Sequence, residues 1–222
     1  MSESVVIVAA KRTPIGSMNG QLLSLSSPQL AAVAIKAAFE QSGLQAEDIT
    51  EAIIGCVLTA GVGQAPARQA VLGSGLLQTT ACSTVNKVCG SGMKTVMMGC
   101  DAIMAGSASV VLAGGMESMS NAPYLLPKAR QGFRYGHVKA LDHMAFDGLE
   151  NAYDGKSMGI FADATAAKYG FTRADQDAFA TESVKRAQAA VASGAFKAEI
   201  AAVTIEGKAG DVLLDTDEPP GQ

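Results

Sequence analysis

Apolar residues recur along the chain in short blocks, and their spacing predicts strands that alternate with helices. Residues 81–88 are rich in Thr and Val, which is typical of a strand. From Ser91 the apolar positions are three and four residues apart, which predicts a helix. They are Met93, Val96, Met97, Cys100, Ile103 and Met104. The continuous apolar run at residues 109–113 indicates a second strand, covered on both faces. Residues 79–115 therefore predict a βαβ unit.

The same pattern extends to both sides of this unit and predicts an α/β fold. Further strands are expected at residues 5–9, 51–58, 201–206 and 211–214, and further helices at residues 27–42, 65–72, 161–168 and 173–193. Thr172 and Asp175 have the spacing of a capping box for the last helix. Residues 121–156 show no sustained periodicity, and so long an irregular segment is usually functional or an inserted subdomain.

Composition narrows the class of protein. Hydrophobic residues make up 48% of the chain and charged residues 17%, which excludes a disordered protein. The net charge of −4 gives no reason to expect nucleic acid binding. No apolar run reaches membrane-spanning length, and residues 1–4 lack a basic leader. The four cysteines lie within strand-like or helix-like patterns, and none has zinc-ligand spacing, so we expect no metal site and free thiols in the reducing cytoplasm.

Cys89 lies between the predicted strand and helix of the central unit. It is followed by Gly90-Ser91-Gly92, and two glycines in three residues allow a sharp turn and the close approach of another group. The N-terminus of a helix favours an anion, so this position favours the thiolate, which is the reactive form of cysteine. A small buried structural cysteine is the alternative, and position alone leaves both possibilities open.

The residue identities resemble the thiolase family. The resemblance is carried by residues 86–94 (NKVCGSGMK) and 114–120 (GGMESMS). Thiolase-like segments follow in thiolase order at residues 6–16, 63–70, 147–149, 158–159, 173–180 and 207–217. The resemblance implies acyl transfer between coenzyme A thioesters through an acyl-cysteine intermediate at Cys89. The backbone N–H of Cys89 is expected to be one donor to the oxyanion. An acetyl-CoA C-acetyltransferase that forms or cleaves acetoacetyl-CoA is the expected activity, with coenzyme A thioesters as substrates and no cofactor.

The resemblance also implies the domain organisation. Residues 1–120 correspond to the thiolase N-terminal α/β domain, with βαβαβαββ topology, and residues 121–222 to the loop domain that covers the coenzyme A site and supports a dimer or tetramer. The family's second, similar half is absent from this sequence. Because that half carries the histidine that activates the cysteine, we expect a truncated or split thiolase that is impaired alone, with an exposed apolar central face. A non-catalytic subunit that binds coenzyme A thioesters is the alternative.

Three further residues are implied to bind substrate. By position, Leu149, Ser157 and Met158 correspond to the wall of the acyl and pantetheine pocket in thiolases. Thiolases of the acetoacetyl type often carry histidine where this chain has Ser157. This departure changes the shape and polarity of the pocket, so a thiolase for longer 3-ketoacyl chains is a second alternative.

The other reactive residues are interpreted as structural. Cys56, within the predicted strand at residues 51–58, is assigned to the core, and Cys100 is assigned to the apolar side of the predicted helix. Residues 80–83 resemble the nucleophile motif of ketoacyl synthases, but no glycine turn follows Cys82, which falls within a predicted strand. Neither His137 nor His143 lies in a motif that matches a thiolase catalytic histidine, so both are predicted at a surface or interface. Lys208 is placed in a hairpin turn, where it either contacts the phosphates of coenzyme A or is solvated.

Overall fold

The computed structural model describes residues 4–208 and 210–221, and a three-stranded parallel sheet lies at its centre. Strand β1 (Glu51–Gly55) lies between β2 (Ala81–Val85) and β3 (Val111–Gly115), in the order β2–β1–β3. All three strands end at the same level, so their carboxyl ends form one edge of the sheet. The connection from β2 to β3 is the predicted βαβ unit.

The α-helices of the described residues are α1 (Ser27–Ser42), α2 (Pro66–Gly73), α3 (Ser91–Met104), α4 (Met158–Tyr169) and α5 (Arg173–Ser193). All five predicted helices are confirmed within three residues. Helix α1 is capped by Ser26 and ends at Gly43, which has the left-handed backbone that glycine adopts without strain. Among the residues that the structure describes, no helix is long and apolar enough to cross a membrane.

The main hydrophobic core lies between the sheet and the α1–α2 pair. It contains Ala31, Ile35, Ile49, Ala52, Ile54, Cys56, Ala67, Ala70, Val71, Leu76 and Met116. Ile53 points to the opposite face of the sheet, because side chains alternate along a strand, and it is also buried. Strand β1 is therefore covered on both faces. The side chain of Cys56 belongs to this core, as the sequence predicts.

Helix α3 faces the sheet with its small residues. Its buried residues are Ser91, Thr95 and Gly99, and a Cβ at Gly99 would lie 3.1 Å from a methyl group of Val111. Its large apolar side chains point away from the sheet. These residues, which we call the α3 outer face, are Met93, Val96, Met97 and Met104, and they are 43–74% exposed. The predicted exposed apolar face is thus confirmed.

Two predicted strands are less covered than expected. Residues of β3 are mostly half-buried, so the prediction that both faces of this strand are covered is wrong. Residues 5–9 form no strand among the described residues, so the strand predicted there is wrong, and Val6, Ile7 and Val8 are 60–77% exposed. An apolar pattern supplies the propensity for a strand, but a strand forms only where a neighbouring backbone completes its hydrogen bonds.

Short elements occupy the segment after β3. Strand β4 (Tyr124–Leu125) pairs antiparallel with β5 (Leu141–Asp142), and a π-helical turn covers Met144–Leu149. Beyond it, α4 and α5 contain no buried residue. The predicted apolar side of α5 is open, with Phe179 79% exposed. The predicted capping box is confirmed, since the Thr172 hydroxyl accepts a hydrogen bond from the backbone N–H three residues on.

The last strands return to the beginning of the chain. The hairpin of β6 (Val203–Ile205) and β7 (Val212–Leu214) buries Val203 completely against Leu22 and Leu30. Residues on both sides of position 120 therefore pack together, and the domain division at that position stays a prediction. Ala209 in the predicted turn lies outside the described residues, as do the first three residues and the last.

An ion pair joins the same two regions. The guanidinium of Arg12 contacts both carboxylate oxygens of Asp217, at 2.7 Å and 2.9 Å, and donates to Glu199 at 2.6 Å. The buried Asp217 also accepts a hydrogen bond from the backbone N–H of Ile15 at 2.8 Å. These donors hold the pKa of Asp217 below its usual range, with the hydrogen bond from Arg12 as the largest cause.

We expect the Asp217→Asn variant to lose roughly 1.5–3 kcal/mol of stability at neutral pH, because it removes a charged, buried acceptor. Since the pKa of Asp217 is lower in the folded state, its contribution is complete above the unfolded-state pKa of about 4 and disappears as the pH falls through the folded-state value. Urea unfolding at several pH values measures the difference in free energy of unfolding between wild type and variant. A difference between wild type and variant that does not shrink in acid would contradict the prediction, and Glu199→Gln serves as the more exposed control.

Candidate active site

Cys89 lies in a tight turn between β2 and α3. The N–H of Gly90 donates to the carbonyl of Lys87 at 3.1 Å, and the N–H of Ser91 donates to the carbonyl of Val88 at 3.0 Å. The Ser91 hydroxyl accepts a hydrogen bond from the N–H of Lys87 at 2.8 Å. The turn is therefore closed on itself, and its own bonds fix the backbone of Cys89.

The residue before Cys89 carries the unusual backbone conformation of the turn. Val88 has a φ of 48°, in the left-handed region that β-branched residues rarely adopt. Its N–H is held by the side-chain oxygen of Asn86 at 2.8 Å. Such conformations cost on the order of 1–3 kcal/mol and are concentrated at functional sites. The sequence predicted a sharp turn here but assigned its geometry to the glycines.

The glycines of this region serve close packing instead. A Cβ at Gly55, the last residue of β1, would lie 2.7 Å from the Cβ of Ser91 and 2.9 Å from the backbone nitrogen of Gly92. A Cβ at Gly115, the last residue of β3, would lie 3.1 Å from the Cα of Gly92. The first turn of α3 therefore rests directly on the carboxyl ends of two strands, which fixes the position of the Cys89 turn.

The surroundings of Cys89 suit a nucleophile. Its side chain is exposed and forms no disulfide, and within the described residues no side chain forms a hydrogen bond or ion pair with its sulfur. The first helical hydrogen bond of α3 runs from Lys94 N–H to the Gly90 carbonyl. The N–H groups of Gly92 and Met93 precede it and have no backbone acceptor among the described residues. Such groups attract an anion at a helix N-terminus.

The other cysteines are less suited to attack a substrate. Burial raises the pKa of Cys56 to about 11, and its sulfur lies 3.6 Å from a carboxylate oxygen of Glu117. Burial also raises the pKa of Cys82, whose thiol donates to the Thr80 carbonyl. Cys100 is half-buried on α3. Cys89 is the one exposed thiol of the four, which favours it over Cys82 as the nucleophile.

The predicted pocket residues lie at one junction of the loop region. Leu149 ends the π-helical turn, Ser157 is the N-cap of α4, and Met158 is the first residue of that helix. A backbone bridge between Glu150 and Ser157 brings the two segments together. Leu149 and Met158 are 38% and 46% exposed, so both are accessible to a ligand. Their role in binding stays a prediction.

The two histidines differ in their surroundings. His137 is exposed, as predicted, but His143 is only 4% exposed, so its predicted place at a surface is wrong. Its Nδ1 lies 2.6 Å from a carboxylate oxygen of Asp147, and its Nε2 lies 3.3 Å from the backbone nitrogen of Ala60. The sequence analysis did not identify this pair, and the four-residue spacing of His143 and Asp147 is the local signal that favours their contact. Lys208 is exposed.

Glu117 lies in the thiolase-like segment at residues 114–120 and has a structural role that the sequence did not indicate. Its carboxylate accepts hydrogen bonds from the N–H groups of Val57 and Leu58, at 2.9 Å and 3.0 Å. The preceding residue, Met116, donates its N–H to the carbonyl of Gly55. The segment after β3 therefore holds the segment after β1 in place.

Comparison with known proteins identifies the family. The chain belongs to the thiolases, because residues 5–222 match the model described as the thiolase N-terminal domain. It is 50% identical over 215 residues to an acetyl-CoA acetyltransferase of Chromobacterium violaceum and 48% identical over 219 residues to one of Pseudomonas aeruginosa. These alignments cover 96% and 98% of the chain but only 55% and 56% of the relatives. The chain thus spans about half the length of these curated relatives.

A solved structure supports the same assignment. The Acat5 thiolase from Ascaris suum, whose crystal structure is a complex with coenzyme A, has a TM-score of 0.90 and is 40% identical. The match covers 97% of this chain and 55% of that one. The predicted thiolase-like α/β fold, without the second repeat, is confirmed.

Proposed function

We propose that this chain supplies the nucleophile of an acetyl-CoA C-acetyltransferase, an enzyme that forms or cleaves acetoacetyl-CoA. One observation carries the proposal: the exposed, unpaired thiol of Cys89 stands on a fixed turn at the start of α3. The relatives named acetyl-CoA acetyltransferase lend it support.

The transfer begins with the sulfur of Cys89. Its thiolate attacks the carbonyl carbon of acetyl-CoA, a new carbon–sulfur bond forms, and the bond to the coenzyme A sulfur breaks, which releases coenzyme A. The acetyl group is then passed from Cys89 to the α-carbon of a second acetyl-CoA, once a base has removed a proton from that carbon. The backbone N–H of Cys89, together with the N–H groups at the start of α3, is the donor for the charge that develops on the carbonyl oxygen.

The complete reaction needs groups that the described residues do not place beside Cys89. No base touches its thiol within residues 4–208 and 210–221. We assign the base to the part of the curated relatives that this chain does not cover. The α3 outer face supports this view, because a group of exposed apolar side chains on one side of a helix is typical of an interaction site.

The substrate and the setting follow from the same residues. Leu149, Ser157 and Met158 form the wall of the acyl pocket, and coenzyme A thioesters are the only small molecules required. The free thiols fit a reducing cytoplasm. Exposed apolar side chains outside the α3 outer face, such as those of residues 6–8, fit a homo-oligomer. Ser157 leaves the longer-chain 3-ketoacyl thiolase as the nearest competitor. An assay of thiolysis against 3-ketoacyl-CoA chain length separates the two activities.

Incubation with acetyl-CoA tests the proposal directly. We expect one acetyl group per chain, found on the peptide that contains Cys89 by mass spectrometry, and none in the Cys89→Ser variant. The Cys82→Ser variant is expected to be acetylated like wild type, because the thiol of Cys82 is half-buried within β2. Acetylation at Cys82 would contradict the assignment. Binding of acetyl-CoA without any acetylation would instead favour the non-catalytic subunit.

A further inference from the structure

His143 is a buried titratable residue that the proposed acyl transfer does not use. A backbone N–H can only donate, so the N–H of Ala60 requires a lone pair on Nε2 of His143, 3.3 Å away. The ring hydrogen of the neutral imidazole then lies on Nδ1 and is donated to Asp147 over 2.6 Å. Both ring nitrogens therefore have partners, and Asp147 fixes the tautomer that can accept from Ala60.

The two partners of His143 belong to separate parts of the chain. Asp147 lies in the π-helical turn that ends at Leu149, whereas Ala60 lies in residues 56–61, which we call the β1 exit loop. The imidazole of His143 hydrogen-bonds to the π-helical turn through Asp147 and to the β1 exit loop through Ala60. It is therefore a bridge between these two segments.

Apolar contacts accompany this bridge. A Cβ at Gly148 would lie 3.4 Å from the side chain of Leu58 in the β1 exit loop. The N–H of His143 also donates to the carbonyl of Pro123, and Pro123 lies against Gly61 at the other end of the loop. The π-helical turn is therefore seated on the loop at several points, and the imidazole supplies the directional contact.

The β1 exit loop is in turn fixed to the nucleophile. It begins directly after Gly55, whose Cα packs against Ser91 two residues beyond Cys89. The carboxylate of Glu117 holds the N–H groups of Val57 and Leu58. A continuous set of contacts therefore leads from the Cys89 turn through the loop to the predicted pocket residue Leu149.

We propose that His143 is a positioning residue that ties the π-helical turn, and with it the pocket wall at Leu149, to the β1 exit loop. The inference rests on the proposed function, since it assigns Leu149 to the coenzyme A thioester pocket. Without the imidazole acceptor, the N–H of Ala60 loses its partner and the turn is free to shift relative to Cys89. A bound thioester would then meet the sulfur in the correct geometry less often.

Alkylation of Cys89 by two reagents tests this role in the 222-residue chain. Bromoacetyl-CoA is directed by the pocket, while iodoacetamide is not, and both lose a halide as the Cys89 sulfur forms a thioether. The ratio of the two rates measures the advantage that the pocket gives. For His143→Ala we expect this ratio to fall about tenfold with the iodoacetamide rate within about twofold of wild type.

Matched variants separate positioning from folding. Glutamine places its amide oxygen near the position of Nε2, so His143→Gln keeps an acceptor for Ala60 and is expected to recover most of the ratio. Asparagine reaches only as far as Nδ1, so His143→Asn is expected to behave like alanine. Asp147→Asn keeps an acceptor for the ring hydrogen and is expected to resemble wild type more closely than Asp147→Ala.

Each outcome decides the inference. An unchanged ratio in His143→Ala overturns it, and if that variant does not fold, equal ratios for the glutamine and asparagine variants overturn it. If wild-type chain shows no advantage for bromoacetyl-CoA and free coenzyme A gives no protection, the proposed function fails and the inference falls with it. A wild-type advantage that only the acceptor-lacking variants lose supports both.

Discussion

Mixing the 222-residue chain with a separately produced remainder of the Chromobacterium violaceum relative is expected to raise acetoacetyl-CoA thiolysis at least about 100-fold above the chain alone. The relative's remainder is the part of its sequence that this chain does not cover. Positioned general bases contribute 10²–10⁴-fold to such reactions, and no base touches the Cys89 thiol among the described residues. The chain alone is therefore expected to be acylated without sustained turnover.

The α3 outer face gives this experiment its control. Met97 is 53% exposed at the middle of the face, next to the helix turn that follows Cys89. Met97→Asp places a charge where an apolar surface is to be covered, so it is expected to abolish the gain in rate. Met97→Leu keeps the apolar character and is expected to retain it. Thiolysis by the chain alone at the rate of the mixture would contradict the prediction.

The Gly55→Ala variant is expected to be destabilised by roughly 1–3 kcal/mol, because its methyl group has no room. That methyl group would lie 2.7 Å from the Cβ of Ser91, 2.8 Å from its backbone carbon and 2.9 Å from the nitrogen of Gly92. Backbone atoms cannot rotate away as the end of a side chain can, so the start of α3 must move. The same movement should slow the acetylation of Cys89 by acetyl-CoA.

Gly114→Ala is the matched control for this substitution. Gly114 pairs with Ile54, the residue before Gly55, and lies one residue before the end of β3, and a Cβ there meets nothing within 4 Å. Alanine at such a position reduces the freedom of the unfolded chain, so this variant is expected to be as stable as wild type or slightly more stable. Urea unfolding measures both variants. Equal free energies of unfolding would show that the glycine at position 55 is not needed for close packing.

Local pattern was sufficient for the elements around the nucleophile. The three- and four-residue spacing from Ser91 predicted α3, and Thr172 and Asp175 predicted the start of α5, because both signals depend only on neighbouring residues. The place of Cys89 before a helix was predicted for the same reason. The burial of Cys56 was also predicted, since it lies within the apolar run at residues 51–58 that predicted a strand.

Features that depend on distant partners were not predicted. The sequence does not show that residues 5–9 lack a neighbouring strand, or that the side of α3 toward the sheet is made of small residues that permit close approach. The burial of His143 depends on Ala60, which is 83 residues away. In each case the outcome depends on which distant part of the chain packs against the residue or segment. The hydrophobic pattern of a sequence does not contain this information.

The methionines of α3 have a chemical consequence for handling the chain. Met93, Met97 and Met104 expose their thioethers to solvent, and peroxide converts such groups to polar sulfoxides. In preparations stored in air, the α3 outer face would then gradually become polar, while the hydrophobic core of the protein stays intact. Dissolved oxidant would thus damage the ability to associate before it damages the fold.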